Sequence, residues 1–277
     1  MFKIIPIVEN TTTSKQYKCK HGLSLYIETT KHKILFDVGP NDLFLENAKK
    51  MNININEIDI LILSHGHSDH GGGLKYFLNV NQKAKIYVRT STFDPHYIKV
   101  MGIPIFVGID KNLINDRFIF SDNISIIDDE LTLFSGIKEE NFYSSSNRKL
   151  FVKKNNKMIQ DDFNHEQNLI IKVDNKKILV SGCSHAGIIN ILKKAEELCL
   201  SNVDLVFGGM HLFNPPTHKY ESDEYIDKIA KELNNTKSIF YTFHCTGVKA
   251  YERLKQILNN RIHYIGTGYT YSLNDIC

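Results

Sequence analysis

The chain has 277 residues, 42% of them hydrophobic, and carries 34 basic against 31 acidic side chains for a formal charge of +3. This length and apolar fraction suit one α/β domain over 1–277, and the near balance of charge gives no electrostatic case for a nucleic-acid or anionic-membrane partner. No apolar run approaches a membrane span, so the expected partner is a small-molecule substrate, with a homodimer left open.

Residues 2–8, 23–28 and 33–38 read as strands of an opening β-meander. The first is too short and too poorly flanked for a secretion signal. The five cysteines, at 19, 183, 199, 245 and 277, are odd in number and form no CxxC pair. These features predict reduced thiols and a cytoplasmic location. Asp37 leads into a Gly39-Pro40 turn. Residues 41–51 read as a helix with Leu43, Leu45 and Ala48 on its apolar face.

The apolar run 58–63 reads as a buried strand. It leads into Ser64-His65-Gly66-His67-Ser68-Asp69-His70-Gly71-Gly72-Gly73, and a helix is expected from Leu74. Three imidazoles and a carboxylate within six residues suit Zn²⁺, and also Mn²⁺ or Fe²⁺. His65 and His67 are two apart, so an extended turn lets both face one ion. Asp69 and His70 can then reach a second, in the arrangement of two ions roughly 3.5–4 Å apart common to hydrolytic sites. Gly66 and the three glycines after His70 let the backbone turn tightly and approach closely.

Residues 85–88 read as the next strand, in a βαβ rhythm typical of layered α/β proteins. The stretch 89–125 has no clear period. Arg89, His96, Tyr97 and Lys99 are its candidates for substrate contact, with solvated loop residues as the plainer reading. Residues 124–127 and 131–135 read as short strands, and the polar stretch 136–164 as a long excursion containing a hairpin. Residues 169–173 and 177–180 form a second hairpin across Asp174-Asn175.

Three strand ends then each deliver a histidine. The strand 177–180 runs into Ser181-Gly182-Cys183-Ser184-His185, 203–207 into Gly208-Gly209-Met210-His211, and 238–243 into His244-Cys245-Thr246-Gly247. Helices are expected at 188–200, 223–233 and 248–258, and a last strand begins near 263. Parallel strands would bring all three histidines to one sheet edge. His185, in a turn of small residues, is the first choice to complete the first ion. Cys183 lies two residues earlier on the same side and can ligate, bridge or simply be buried. His244 is favoured for the second ion and His211 is its rival; the one not bound can donate a hydrogen bond to substrate. Cys245 alternates away from His244 and reads as structural.

His21-Gly22-Leu23-Ser24-Leu25, Phe36-Asp37-Val38-Gly39, the HxHxDH stretch and the three histidine-bearing strand ends occur in order. Together they resemble the metallo-β-lactamase superfamily, and within it the prokaryotic metal-dependent hydrolases of β-lactamase superfamily II. That group includes the 7,8-dihydropterin-6-methyl-4-(β-D-ribofuranosyl)-aminobenzene-5′-phosphate synthases. The resemblance implies the α/β (α+β) class and an αβ/βα four-layer sandwich. Two mixed sheets would face each other, with helices outside and two divalent metal ions at one edge, Zn foremost and Mn or Fe as alternatives.

The resemblance also implies that Asp37 orients a metal-binding histidine. It offers a second ligand template of His165, Cys183 and His211, with Glu166 as an acidic group nearby. The group usually has an acidic residue where this chain has His165, which favours His185. The expected metal set is therefore His65, His67, Asp69, His70, His185 and His244. The expected activity is hydrolysis of a small ester or phosphodiester by a metal-activated water that Asp69 both helps to bind and orients. Two alternatives differ in class. One is a pterin-linked transferase whose cations hold a substrate diphosphate, with Gly71, Gly72 and Gly73 at a helix N-terminus as phosphate binders. The other is a non-catalytic member that binds metal or ligand.

Overall fold

The structure is a computed structural model that describes residues 1–137 and 141–273. Two seven-stranded mixed sheets face each other. The first runs, edge to edge, Tyr271–Ser272, Lys3–Val8, Ser24–Glu28, Lys33–Phe36, Ile60–Ile62, Lys85–Arg89 and Phe118–Ser121. Its pairings are antiparallel as far as Lys33–Phe36 and parallel from there on. The second runs Ile262–Tyr264, Ile239–Thr242, Leu205–Gly208, Lys176–Ser181, Asn168–Val173, Leu131–Phe134 and Ile124–Ile126. Here the first four strands are parallel and the rest antiparallel.

Strand alternation builds three cores from these runs, because successive side chains point to opposite faces. Ile4, Leu25, Ile27, Ile34, Phe36, Ile60 and Ile62 meet Leu169, Ile171, Ile178, Val180, Leu205 and Phe207 between the sheets. Their neighbours Ile5, Ile7, Tyr26, Leu35 and Leu61 face outward under the helices Leu43–Lys50 and Leu74–Val80, which contribute Phe44, Ala48, Leu74 and Phe77. Ile170, Leu179, Val206 and Phe240 face the other way, under Ile188–Cys199, Asp223–Asn234 and Val248–Leu258. The result is the expected four layers. Strands buried on both faces explain why the sequence reads as unbroken apolar runs there. Each such side chain, fully buried, contributes about 1.5–3 kcal/mol.

The unperiodic stretch 89–125 is not a loop. His96–Val100 and Ile103–Phe106 join Leu150–Lys154 and Lys157–Gln160 in a small antiparallel sheet, and Phe118–Ser121 is the edge of the first large sheet. These strands escaped pattern reading because their apolar residues do not alternate with burial: Ile103, Ile105 and Phe106 are all exposed. The strand near 263 is likewise not the last, since Tyr271–Ser272 follows and pairs with Lys3–Val8. Residues 138–140 of the polar excursion and Cys277 lie outside the described residues. No helix among the described residues is long and apolar enough to cross a membrane.

This architecture fixes where the chemistry gathers. Ile60–Ile62 in the first sheet ends at the histidine-rich loop. In the second sheet Lys176–Ser181, Leu205–Gly208 and Ile239–Thr242 are parallel neighbours, and the residues after them begin at one edge.

Candidate metal centre

The loop after Ile62 is held tightly from below. A Cβ on Gly66 would lie 2.3 Å from the Thr92 carbonyl oxygen and 2.8 Å from His96 Nε2. One on Gly72 would lie 2.4 Å from the carbonyl oxygens of Pro40 and Ser68. Gly71 and Gly73 press equally on Ile109 and Val38. The three glycines therefore serve close packing, and none of them lines the cavity described below. That corrects their reading as a phosphate cradle.

Asp37 organises the loop. Its carboxylate is fully buried and accepts from the Ser64 amide (2.7 Å), the Ser64 hydroxyl (2.7 Å) and His70 Nδ1 (2.6 Å). Its own backbone is left-handed, with φ of 63°, a conformation that costs a non-glycine residue roughly 1–2 kcal/mol. Ser64 Oγ, having donated to Asp37, accepts from His65 Nδ1 at 2.8 Å. The Nδ1 protons of His65 and His70 are thereby engaged, and each Nε2 is left toward the site.

His185 and His244 are set by two clamps of the same design. Glu166 accepts the His185 amide at 2.6 Å, while Asn147 accepts His185 Nδ1 at 2.9 Å and donates to the His185 carbonyl at 2.8 Å. Glu9 accepts the His244 amide at 2.6 Å, while Asn10 accepts His244 Nδ1 at 3.0 Å and donates to the His244 carbonyl at 3.1 Å. In both cases the clamp fixes the tautomer with the proton on Nδ1, the usual support of a metal-ligating imidazole.

Two donor sets result. Donor atoms of His65, His67 and His185 lie within 4.8 Å of one another. Their three Nε2 atoms are buried, and among the described residues none has a hydrogen-bond partner. A buried nitrogen left bare costs about 1–3 kcal/mol, which a cation would offset. In the second set Asp69 Oδ2 lies 3.3 Å from His244 Nε2 and 3.7 Å from His70 Nε2, and those two nitrogens are 3.2 Å apart. The residues present thus fit a pair of divalent cations.

Electrostatics divide the sets in the same way. Burial, reinforced by the neighbouring imidazoles, holds His65, His67 and His185 well below the usual histidine range, so they are neutral lone-pair donors. Burial also lowers His244. Burial opposes charge on His70 too, but the Asp37 and Asp69 carboxylates outweigh it and hold that imidazole up to about 9. Burial alone would raise Asp69, yet His70, His21 and His244 keep its carboxylate well below the usual range.

The other sequence candidates divide. Cys183 sits between the sets, with Sγ 3.1 Å from His70 Nε2. His211 borders His185 at 4.3 Å between ring centres, and neither of its buried ring nitrogens has a hydrogen-bond partner of good geometry. His165 has both nitrogens engaged: Nδ1 accepts the Gly66 amide at 2.8 Å, and Nε2 faces Asp161 at 3.3 Å. Glu166 is part of the His185 clamp rather than an acid facing the cavity. Cys245 does reach the cavity, and it donates to the Cys183 carbonyl at 3.4 Å.

The four candidates in 89–125 have no place at the cavity wall. Buried His96 binds Asp161 at 2.9 Å, beneath the metal loop. Arg89 reaches Ser121, Asn123 and Asn164. Lys99 lies over Phe151, and Tyr97 packs on Phe106. Their neighbours Ile98 and Val107 line the cavity instead. That cavity, of about 260 Å³, also takes in His21, Ser68, Leu150, Asn214, Pro215 and Pro216. His21 is the residue that sequence reasoning left without a role. Its Nε2 meets Asp69 at 3.2 Å and its ring stacks on His244; burial opposes charge on it, but the hydrogen bond and charge of Asp69 together outweigh burial and raise its pKa. Its place in the His21-Gly22 stretch was the available signal.

A family model described as the metallo-beta-lactamase superfamily matches residues 18–141. A 7,8-dihydropterin-6-methyl-4-(beta-D-ribofuranosyl)-aminobenzene-5′-phosphate synthase of Methanocaldococcus jannaschii is 32% identical over 83% of this chain and 82% of its own. An uncharacterized protein of the same organism is 29% identical over 95% and 98%. A crystal structure of a metal-dependent hydrolase of the β-lactamase superfamily superposes with a TM-score of 0.85, at 26% identity over 99% of each chain.

Proposed function

The chain belongs to the metallo-β-lactamase superfamily, and we propose that this enzyme is a metal-dependent hydrolase of a small ester or phosphodiester. His65, His67 and His185 would hold one divalent cation, and Asp69, His70 and His244 the other. The observation that carries the reading is the trio of buried, unpartnered Nε2 atoms on residues whose donor atoms lie within 4.8 Å of one another. When bound, the cations supply Lewis acidity, making a water acidic near neutral pH and polarising a carbonyl or phosphoryl oxygen.

The chain's own groups do the rest. Asp69, kept ionised, accepts a hydrogen bond from the attacking water and so orients its lone pair. His211 points a free ring nitrogen at a substrate oxygen. Ile98, Val107, Leu150, Pro215 and Pro216 seat an apolar portion of the substrate and exclude bulk water.

The test is elemental analysis of purified protein followed by ester and phosphodiester panels before and after chelation. Two bound transition-metal ions per chain are expected, with turnover lost on chelation and restored by added metal. Protein that holds no metal and takes up none would overturn the reading. The likeness to the pterin synthase favours a second reading, transfer from a hydroxymethyl-dihydropterin diphosphate to an aminobenzene acceptor. A coupled product from that pair would replace hydrolysis as the function.

A further inference from the structure

We infer that the small four-stranded sheet docks reversibly on an anionic lipid surface, with the tip of the hairpin 96–106 entering the headgroup boundary. The inference uses none of the metal ligands and stands whether or not the hydrolase reading does.

The sheet has an inner and an outer face, because partners in register share a face and neighbours along a strand alternate. Ile98 and Leu150, paired with each other, line the cavity and mark the inner face. The outer face then holds Tyr97, Pro104, Phe106, Phe151 and Met158, with Lys99 and Lys153 among them. An antiparallel sheet packed on one side ordinarily turns polar residues to the other. Here Phe106 is 52% exposed, and the charges that these strands place on the outer face are both lysines.

Beyond the cavity the inner face is apolar too, with Ile103 66% and Ile105 48% exposed. Between the strands, Met101 is 96% exposed at a φ of 50°, in a two-residue turn with Gly102. Such turns favour Asn, Asp or Gly at that position, so turn chemistry does not account for a methionine. A hairpin end that is apolar on both faces suits immersion better than contact with one flat partner.

Charge identifies the surface. The two hairpins, 96–106 and 150–160, carry Lys99, Lys153, Lys154 and Lys157 and no Asp or Glu, and Arg148 and Lys149 come just before the second. Of the flanking carboxylates among the described residues, Asp94 and Asp110 stand at the base of the first hairpin, Asp161 is buried against His96, and Asp162 meets Lys154 at 3.5 Å. Charge summed over the whole chain, +3, hides this local excess.

Other occupants fit less well. Like charge opposes the same patch on a second copy. Pro104 opposes it too. It lies on the free edge strand Ile103–Phe106, and the bond from Val107 N to His96 O sets an alternation that turns position 104 outward, where proline has no N–H to give. Single-stranded nucleic acid needs open ring faces. Lys99 covers Phe151 from 3.9 Å, and Tyr97 and Phe106 pack edge to face. Lysines around an aliphatic and aromatic tip match a boundary that takes cations at its headgroups and apolar side chains just beneath.

Flotation of the full chain with vesicles tests the inference. The protein should rise with phosphatidylcholine vesicles containing about one third phosphatidylglycerol, stay behind with phosphatidylcholine alone, and release as salt goes from about 0.1 to about 1 M. Lys153→Ala and Lys157→Ala should each weaken binding about fivefold, and Ile103→Asp should abolish it. Met101→Trp gives the chain its one tryptophan, whose emission should move to shorter wavelength on anionic vesicles alone. Absence of binding by the native chain, equal binding to neutral vesicles, or binding that Ile103→Asp leaves intact overturns the inference. So does a tryptophan emission that does not move, retention of single-stranded RNA without vesicle binding, or a dimer that Ile103→Asp dissolves in place of vesicle binding. The native-chain arm needs no variant, so it decides the matter even if a substitution impairs folding.

Discussion

Asp37→Asn keeps the shape of the side chain and reverses one of its two polar ends. The native carboxylate accepts three hydrogen bonds, at 2.7, 2.7 and 2.6 Å. Asparagine can keep the bond from the Ser64 amide, but its NH₂ then confronts the Ser64 hydroxyl and His70 Nδ1–H. Either a buried donor is stranded, at about 1–3 kcal/mol, or His70 moves its proton to Nε2, the atom that must face the cation. The metal-free protein adds a charge effect. His70 is held up to about 9 from an ordinary 6.5, and that difference corresponds to about 3 kcal/mol. This contribution is present in full below pH 6.5 and is lost as pH rises through about 9. Asp37 shares this effect with Asp69, so urea denaturation of chelated protein should place Asp37→Asn below the native chain at pH 6 by up to about 3 kcal/mol, with the gap narrowing by pH 10. Chelator competition should show the second cation bound about 10–100-fold more weakly, with the His65, His67 and His185 ion retained. An Asp37→Asn protein that matched the native chain in urea and held both ions at native affinity would refute the role of this carboxylate.

Asp69→Asn should fold normally and lose turnover by roughly 10²–10⁴-fold; full activity in a metal-loaded variant would remove Asp69 from the mechanism. Cation uptake by the second set must displace the His70 proton, so its affinity should rise about tenfold per pH unit from 7 toward 9. Uptake by the neutral His65, His67 and His185 set should stay level over that range, and calorimetric titration distinguishes the two. Asn10→Ala should weaken the His244 ion and Asn147→Ala the His185 ion, each by about 10–100-fold. Equal losses at both ions in either variant would mean that the two clamps do not act independently.

The layers of the fold were legible because burial on both faces writes unbroken apolar strands, and helices such as Ile188–Cys199 write a 3.6-residue period. The HxHxDH loop was legible because its histidines and Asp69 are neighbours in sequence. The small sheet was legible only in its hairpin Leu150–Lys154 and Lys157–Gln160; its other half was not, since Ile103–Phe106 is exposed throughout and so has no alternating signal. The groups that aim the ligands were only partly visible. Asp37 was reached through resemblance, whereas Glu9, Asn10 and Asn147 sit in unremarkable turns far from the residues they hold. His165 and His96 drew notice as histidines, yet their hydrogen bonds join Gly66 to Asp161 and support the loop from beneath. Composition marks a histidine, but only geometry separates one with a free nitrogen from one with none.

Glu9 and Asn10, near the start of the chain, orient His244 near its end, across 235 and 234 residues. Gln167 of the second half bonds the Leu63, Ser64 and Tyr87 backbone of the first. Each proposed cation set would likewise draw its ligands from both halves: His185 joins His65 and His67, and His244 joins Asp69 and His70. The donors therefore converge only after the two sheets have docked. A cation that binds this arrangement and not the unfolded chain stabilises the docked state by mass action, about 2.7 kcal/mol at a hundredfold excess over its dissociation constant. Metal affinity and sheet docking are thus one linked equilibrium, and a substitution that loosens the seam should weaken both ions even where it touches no ligand.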